Sequence, residues 1–107
     1  MYDVFAIYAQ PEDPAAFDSH YVSVHAAKVS AMPNLLAFEW GHVDPTGPGD
    51  NASPYLIARM TFADVDAAAE AMASDAGRDA VADLASFAMA GVAVHNVPRG
   101  TTPSSSS

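Results

Sequence analysis

In the stretch FDSHYVSVHAAKV, residues 17–29, two histidines, a tyrosine and a lysine fall on what the spacing makes one helix. Tyr21 and His25 are four residues apart, about one helical turn, so they share a stripe and address the same volume. His20 and Val24 form the stripe beside it. An imidazole titrating near neutrality accepts and returns protons, and a phenol one turn away can orient or donate to a substrate oxygen. That chemistry suits enolisation, lactone isomerisation, or deprotonation of a phenol ahead of attack by oxygen. The alternative is a helix whose polar side chains do no chemistry.

Other chemistries have less support. His20 and His25 are five residues apart and point in different directions, so they are not the i,i+4 histidine pair of a helical metal site. Ser19, Ser23 and Ser30 lie within the helix, with no strained turn to expose a nucleophile. No glycine-rich loop follows a strand, so no nucleotide fingerprint is present. The chain has no cysteine, which excludes disulfides, thiolate metal sites and thiol catalysis. With 13 acidic against 4 basic residues, the net charge of −9 disfavours nucleic acid and an anionic membrane surface as partners. No apolar run is long enough to span a bilayer, and the opening MYDVFAIYAQ lacks the basic start of a signal peptide, so the cytoplasm is the expected location.

The elements that must position these side chains follow from local pattern. The 107 residues amount to one domain, expected over 1–98, with a disordered Ser-rich tail over 99–107. YDVFAIYA, residues 2–9, reads as a strand apolar on both faces. Asp13 is the expected N-cap and Pro14 the first residue of a helix reaching about Met32, where Pro33 stops it. Val24, Ala27 and Ala31 form its apolar stripe, with Phe17 and Tyr21 adding bulk beside it. Residues 35–43 and 55–62 are strands joined by the Gly/Pro/Asp-rich loop DPTGPGDNASP. Asp64 caps a helix whose stripe is Val65, Ala68, Ala69 and Met72; the pattern breaks near SDAG and resumes through Val81, Leu84 and Ala85. Residues 91–97 are the last strand.

The order β-α-β-β-α-β is the ferredoxin-like plan, an α+β fold with a four-stranded antiparallel sheet and helices on one face. The other face ought then to be polar. In the second strand Leu36, Phe38, Trp40 and His42 share one face and Leu35, Ala37, Glu39, Gly41 and Val43 the other, so neither is a solvated face. A homodimer packed through the sheet faces is the expected remedy; a loop or tail lying over the sheet is the alternative. Simple antiparallel pairing sets Glu39 opposite Arg59, either as a cross-strand ion pair or with Arg59 as donor to a ligand oxyanion. His95, near the end of the last strand, and His42, beside the long loop, could each reach a pocket mouth.

Four pieces, YAQPEDPAAFDSHYVSVHAAKVSAMPNL, PYLIARMTF, FADVDAAAEAMASDAGRDAVADL and SFAMAGV, occur here in an order and spacing that resemble the EthD family over residues 2–97. The resemblance implies two ferredoxin-like subunits joining their sheets into a dimeric α/β barrel, each with a pocket between sheet and helices. It places the family's helix histidine on His25, the preceding tyrosine on Tyr21 and the earlier histidine on His20. Where the family often has proline, this chain has Ala27. Relatives in the wider superfamily include muconolactone-type isomerases, cofactor-free monooxygenases and haem-handling enzymes. The resulting expectation is a protein holding a small hydrophobic oxygenated compound, either turning it over or binding it for a partner oxygenase. The candidates are His25 and Tyr21 for catalysis and Trp40, Arg59, Glu39, His95 and Phe17 for ligand contact, with no cofactor and no metal.

Overall fold

A computed structural model describes residues 1–44 and 53–100. The elements run β1 (Tyr2–Tyr8), α1 (Pro14–His20), a π-helical turn (Tyr21–His25), α2 (Ala26–Ser30), β2 (Ala37–His42), β3 (Leu56–Phe62), α3 (Val65–Ala73), α4 (Asp75–Phe87) and β4 (Val92–Pro98). Most of the long loop expected between β2 and β3 lies outside the described residues. So do residues 101–107 of the expected tail, whereas Arg99 is held by Asp3 through contacts of 2.9 and 2.8 Å. Among the described residues, no helix is long and apolar enough to cross a membrane.

The four strands form one antiparallel sheet in the order β2-β3-β1-β4, the ferredoxin-like arrangement. The expected barrel is corrected here. β2 and β4 are the two edges and do not pair with each other, so the sheet stays open.

Strand parity separates two faces. Val4, Ala6, Tyr8, Leu56, Ala58, Met60 and Phe62 are buried beneath the helices. The opposite face carries Phe5, Ile7, Ile57, Arg59, Ala37, Glu39, His95 and Val97, as the pairing register requires. Two core clusters lie under the helices. One is mainly aliphatic, around Val4, Val29 and Met60 with Phe62, and the other is mainly aromatic, around Tyr8, Phe17, Tyr21, Leu56 and Phe87.

The helices begin where polar caps satisfy free amides. Asp13 accepts from Ala16 N–H at 3.1 Å with Pro14 next in line, and Asp64 accepts from Ala67 N–H at 2.8 Å. Ser74 accepts from Gly77 N–H at 3.1 Å and restarts the chain as α4. The expected uniform helix to Met32 is interrupted: Ala26 N–H bonds back to Tyr21 C=O, closing a wide π-turn. The extra residue in that turn shifts the inward stripe to Phe17, Tyr21, His25, Val29 and Met32, all buried, while Ala27 and Ala31 are exposed. In α4 the inward residues are Gly77, Ala80, Asp83 and Phe87, and Val81 faces outward.

Candidate functional site

The aromatic end of the core holds a chain of polar contacts contributed by three elements. The π-turn presents Tyr21 and His25 side by side, with ring centroids 5.4 Å apart. β1 brings Tyr8 beneath them and α4 brings Asp83 from above. His25 Nδ1 lies 3.0 Å from Asp83 Oδ2, and His25 Nε2 lies 3.4 Å from the Tyr8 hydroxyl. His20 Nε2 reaches both oxygens of the same carboxylate, at 2.9 and 3.0 Å. The side chains of His25 and Asp83 are each 5% exposed, whereas that of His20 is 27% exposed.

The electrostatics select one protonation pattern. Burial raises the Asp83 carboxyl, but hydrogen bonds from His20 and His25 outweigh it and hold the acid below its ordinary range. Burial lowers the His25 imidazole, and the Asp83 carboxylate only partly offsets that effect. An ionised Asp83 can only accept. His25 therefore donates through Nδ1–H, leaving Nε2 as an acceptor for the Tyr8 hydroxyl. Burial pushes the Tyr8 and Tyr21 phenols upward, so both stay protonated. The Tyr21 hydroxyl is buried and makes no hydrogen bond of good geometry among the described residues, although it lies close enough to the Tyr8 hydroxyl for each phenol to act on the other's titration. A buried hydroxyl without a well-formed hydrogen bond costs free energy, about 1–3 kcal/mol.

Phe87, the last residue of α4, touches every ring of this set. Its centroid lies 4.8 Å from His25, 5.0 Å from His20, 5.1 Å from Phe17, 5.7 Å from Tyr8 and 5.9 Å from Tyr21. Trp40, 39% exposed on edge strand β2, meets Tyr21 edge-on at 5.0 Å. On the outer side of Phe87 and His20 a cleft of about 550 Å³ opens between the start of α1 and the end of α4.

His25, Tyr21, Phe17 and Trp40 are thus brought together. Glu39, Arg59 and His95 are not among them. Glu39 and Arg59 do pair across β2 and β3, at 2.6 Å, but their side chains are 64% and 41% exposed on the open sheet face. His95 lies in the same row, since both it and Arg59 sit opposite Phe5. The thickness of the sheet separates this row from the histidines. His42 joins a different cluster, donating to Asp18 at 3.0 Å beside the Tyr55 hydroxyl, which meets the same carboxylate at 2.9 and 3.0 Å.

Sequence reasoning missed Asp83, Tyr8 and Phe87. The spacing of Gly77, Ala80, Asp83 and Phe87 carried a signal, an acid set within an inward stripe. Among the described residues no group of three or more His, Asp or Glu side chains is arranged to hold a metal ion.

Comparison with known proteins agrees with this architecture. The EthD domain model matches residues 9–90. An uncharacterized 11.0 kDa protein encoded in the thcB–thcC intergenic region of Rhodococcus erythropolis is 41% identical over 92 residues, covering 86% of this chain and 88% of that one. The crystal structure of an ethyl tert-butyl ether d (EthD) family protein from Bacillus halodurans is 28% identical. It aligns over 94% of this chain and 99% of its own with a TM-score of 0.85. A dimeric ferredoxin-like protein of unknown function from Thermobifida fusca shares the fold at 12% identity, with a TM-score of 0.69 over 90% of this chain and 88% of that one.

Proposed function

The chain belongs to the EthD family, and from that premise we propose that it is an enzyme using His25 as a general base on a small apolar oxygenated compound, an enolisable lactone or a hydroxyaromatic. The observation that carries this reading is the contact of His25 Nδ1 with Asp83 at 3.0 Å, which leaves Nε2 directed at Tyr8 beside the weakly bonded Tyr21 hydroxyl. A base held in one tautomer by a buried carboxylate is the arrangement that acid–base catalysis uses.

In the proposed reaction, Nε2 takes a proton from a carbon next to a carbonyl, or from a phenol. The electron pair left behind moves onto oxygen. The Tyr21 hydroxyl donates to that developing oxyanion, gaining a stronger acceptor than any it meets in the free protein. Asp83 stabilises the imidazolium. Return of the proton to a different carbon completes an isomerisation; addition of the carbanion to dioxygen gives a peroxide anion that takes the proton back from the imidazolium, and loss of water from this hydroperoxide leaves one oxygen as a new carbonyl, the substrate itself supplying the electrons. The long 3.4 Å contact between Tyr8 and Nε2 is the one the substrate replaces.

The working form in this reading is a homodimer in the cytoplasm, with a second copy covering the open sheet face. Phe5, Ile7, Ile57 and Val97 there are apolar, and the Glu39–Arg59 pair and His95 would contact the partner rather than the ligand.

The test is protein-dependent hydrogen–deuterium exchange at carbon in a panel of γ-lactones in D₂O, with dioxygen uptake measured on hydroxyaromatics. Turnover of one class that is lost in a folded His25→Ala variant supports the reading. Rates equal to buffer across both panels, or equal rates in wild type and variant, would refute it.

A further inference from the structure

We infer that the cleft between α1 and α4 is a binding site for a small aromatic molecule bearing a hydroxyl or ammonium donor, with His20 as its hydrogen-bonding partner. This site is distinct from the buried base: the Phe87 ring and the Asp83 carboxylate stand between them, and the inference does not depend on His25 turning anything over.

Three observations carry it. First, the cavity has the size and lining of a ligand site. Its volume is about 550 Å³, its walls include Phe17, Phe87 and Met89, and its floor includes His20. Second, the ring of His20 is held in place by its surroundings. Its Nε2–H is committed to Asp83 at 2.9 and 3.0 Å, and its ring is stacked on Phe87 at 5.0 Å and 25°. In the neutral ring the other nitrogen, Nδ1, is then an acceptor. A ligand that satisfies it must bring an O–H or N–H. Third, the rim selects charge. Glu12 and Asp13 line the cleft, and no Lys or Arg does so among the described residues. A carboxylate ligand would meet like charge there and an acceptor where it needs a donor, whereas an ammonium would meet opposite charge and the right partner. The aromatic walls suit a flat ring, through edge-to-face contact and, for the amine, cation–π attraction.

The test uses three matched probes on the ¹⁵N-labelled full chain: 2-naphthylmethylamine, 2-naphthylmethanol and 2-naphthoate. The amine and the alcohol should shift the signals of Ala16, Phe17 and Ser86, with the amine binding at least about tenfold tighter than the naphthoate. His20→Phe keeps a stacking ring but removes the acceptor, and should weaken the alcohol about tenfold. Because that variant also disturbs Asp83, a second one is needed. Ala16 is exposed on the cleft wall, so Ala16→Trp should fill the space, leave the spectrum folded and abolish binding of the amine and the alcohol. Equal affinity for naphthoate and amine, shifts confined to the open sheet face, no binding by any probe, or unchanged binding in Ala16→Trp would each overturn the assignment.

Discussion

His25 and Asp83, 58 residues apart in the chain, meet at 3.0 Å inside the aromatic end of the core. Their contact sets the tautomer of a buried imidazole and places its free nitrogen against β1. His20 holds the same carboxylate from the outside, so one acid organises two histidines of unequal exposure.

Asp83→Asn keeps the shape of the side chain but removes the anionic acceptor. An amide satisfies the two imidazole donors less well, and loss of charge-assisted bonds should cost about 2–4 kcal/mol of stability. Urea denaturation would measure this. A change under about 0.5 kcal/mol, within the range of ordinary surface substitutions, would show that the network contributes little. Activity should fall as well, because Nε2 would no longer be held as an acceptor.

Tyr21→Phe should separate function from stability. The hydroxyl is buried with no well-formed hydrogen bond, only a weak interaction with the Tyr8 hydroxyl, so its desolvation cost offsets what it contributes and its removal should change stability by less than about 1 kcal/mol. Turnover by the proposed mechanism should fall, since the oxyanion loses its donor. Thermal melting and the exchange assay together check the pair of outcomes; a clear loss of stability would mean that the hydroxyl is bonded in solution.

Acid should act on the fold through Asp3. The hydrogen bond from Arg99 and that from Thr61 outweigh burial and hold this carboxyl at about 2, below its ordinary 3.8. A depressed folded pKa means that the unfolded chain binds the proton first. The contribution is therefore present in full above pH about 5 and is lost as pH falls through the interval from 3.8 towards 2. His25 acts in the same direction at higher pH. Its folded pKa is lowered from 6.5, so the unfolded chain takes up that proton first and stability falls as pH drops below that value. Denaturation of wild type and Asp3→Asn at several pH values would test the first effect, since their difference should shrink only at the acid end. An NMR titration of the His25 ring with a midpoint above 6.5 would contradict the second.

Gly77→Ala should damage the junction of α3 and α4. A β-carbon there would overlap the Ala71 carbonyl oxygen and lie 2.8 Å from Met72 Cα, both backbone atoms. Neither can turn away as a side chain would, so the helices must separate, at about 1–3 kcal/mol. Since α4 carries Asp83 and Phe87, the shift should also appear as altered His25 ring signals. An unchanged melting temperature would show that the junction is looser than this geometry.

The proposed covering of the open sheet face predicts a particle of twice the 11.1 kDa chain mass by light scattering. Phe5→Glu, placing a charge in the middle of that face, should shift the particle to a monomer while leaving the helical side folded. A monomeric wild type would remove the homodimer from the proposal.

Much of this architecture could be read before any coordinates. Short apolar runs, the first rich in aromatic and β-branched residues, located all four strands, and Asp13 with Pro14, together with Asp64, marked helix starts because caps act over three residues. The opposition of Glu39 and Arg59 followed from strand parity together with an assumed simple antiparallel register, which the observed pairing matches. Tyr21 and His25 were found together because i,i+4 spacing is a local property. The π-turn was not legible: a single inserted residue leaves the composition unchanged while moving the inward stripe from Val24, Ala27 and Ala31 to His25 and Val29.

Local sequence, then, determined which segments are strands and helices, their order, and the candidate base, since each depends on neighbours within a turn or a strand. Tertiary structure decided the rest. It divided the candidates between two faces of a sheet, leaving Glu39, Arg59 and His95 behind the strands that back His25. It left the sheet open, because β2 and β4 lie at opposite edges. It also supplied Asp83, Tyr8 and Phe87, whose part depends on the docking of α4 against the π-turn and β1. The protonation pattern of His25 depends on burial and on a carboxylate 58 residues away, and neither is encoded in the residues beside it.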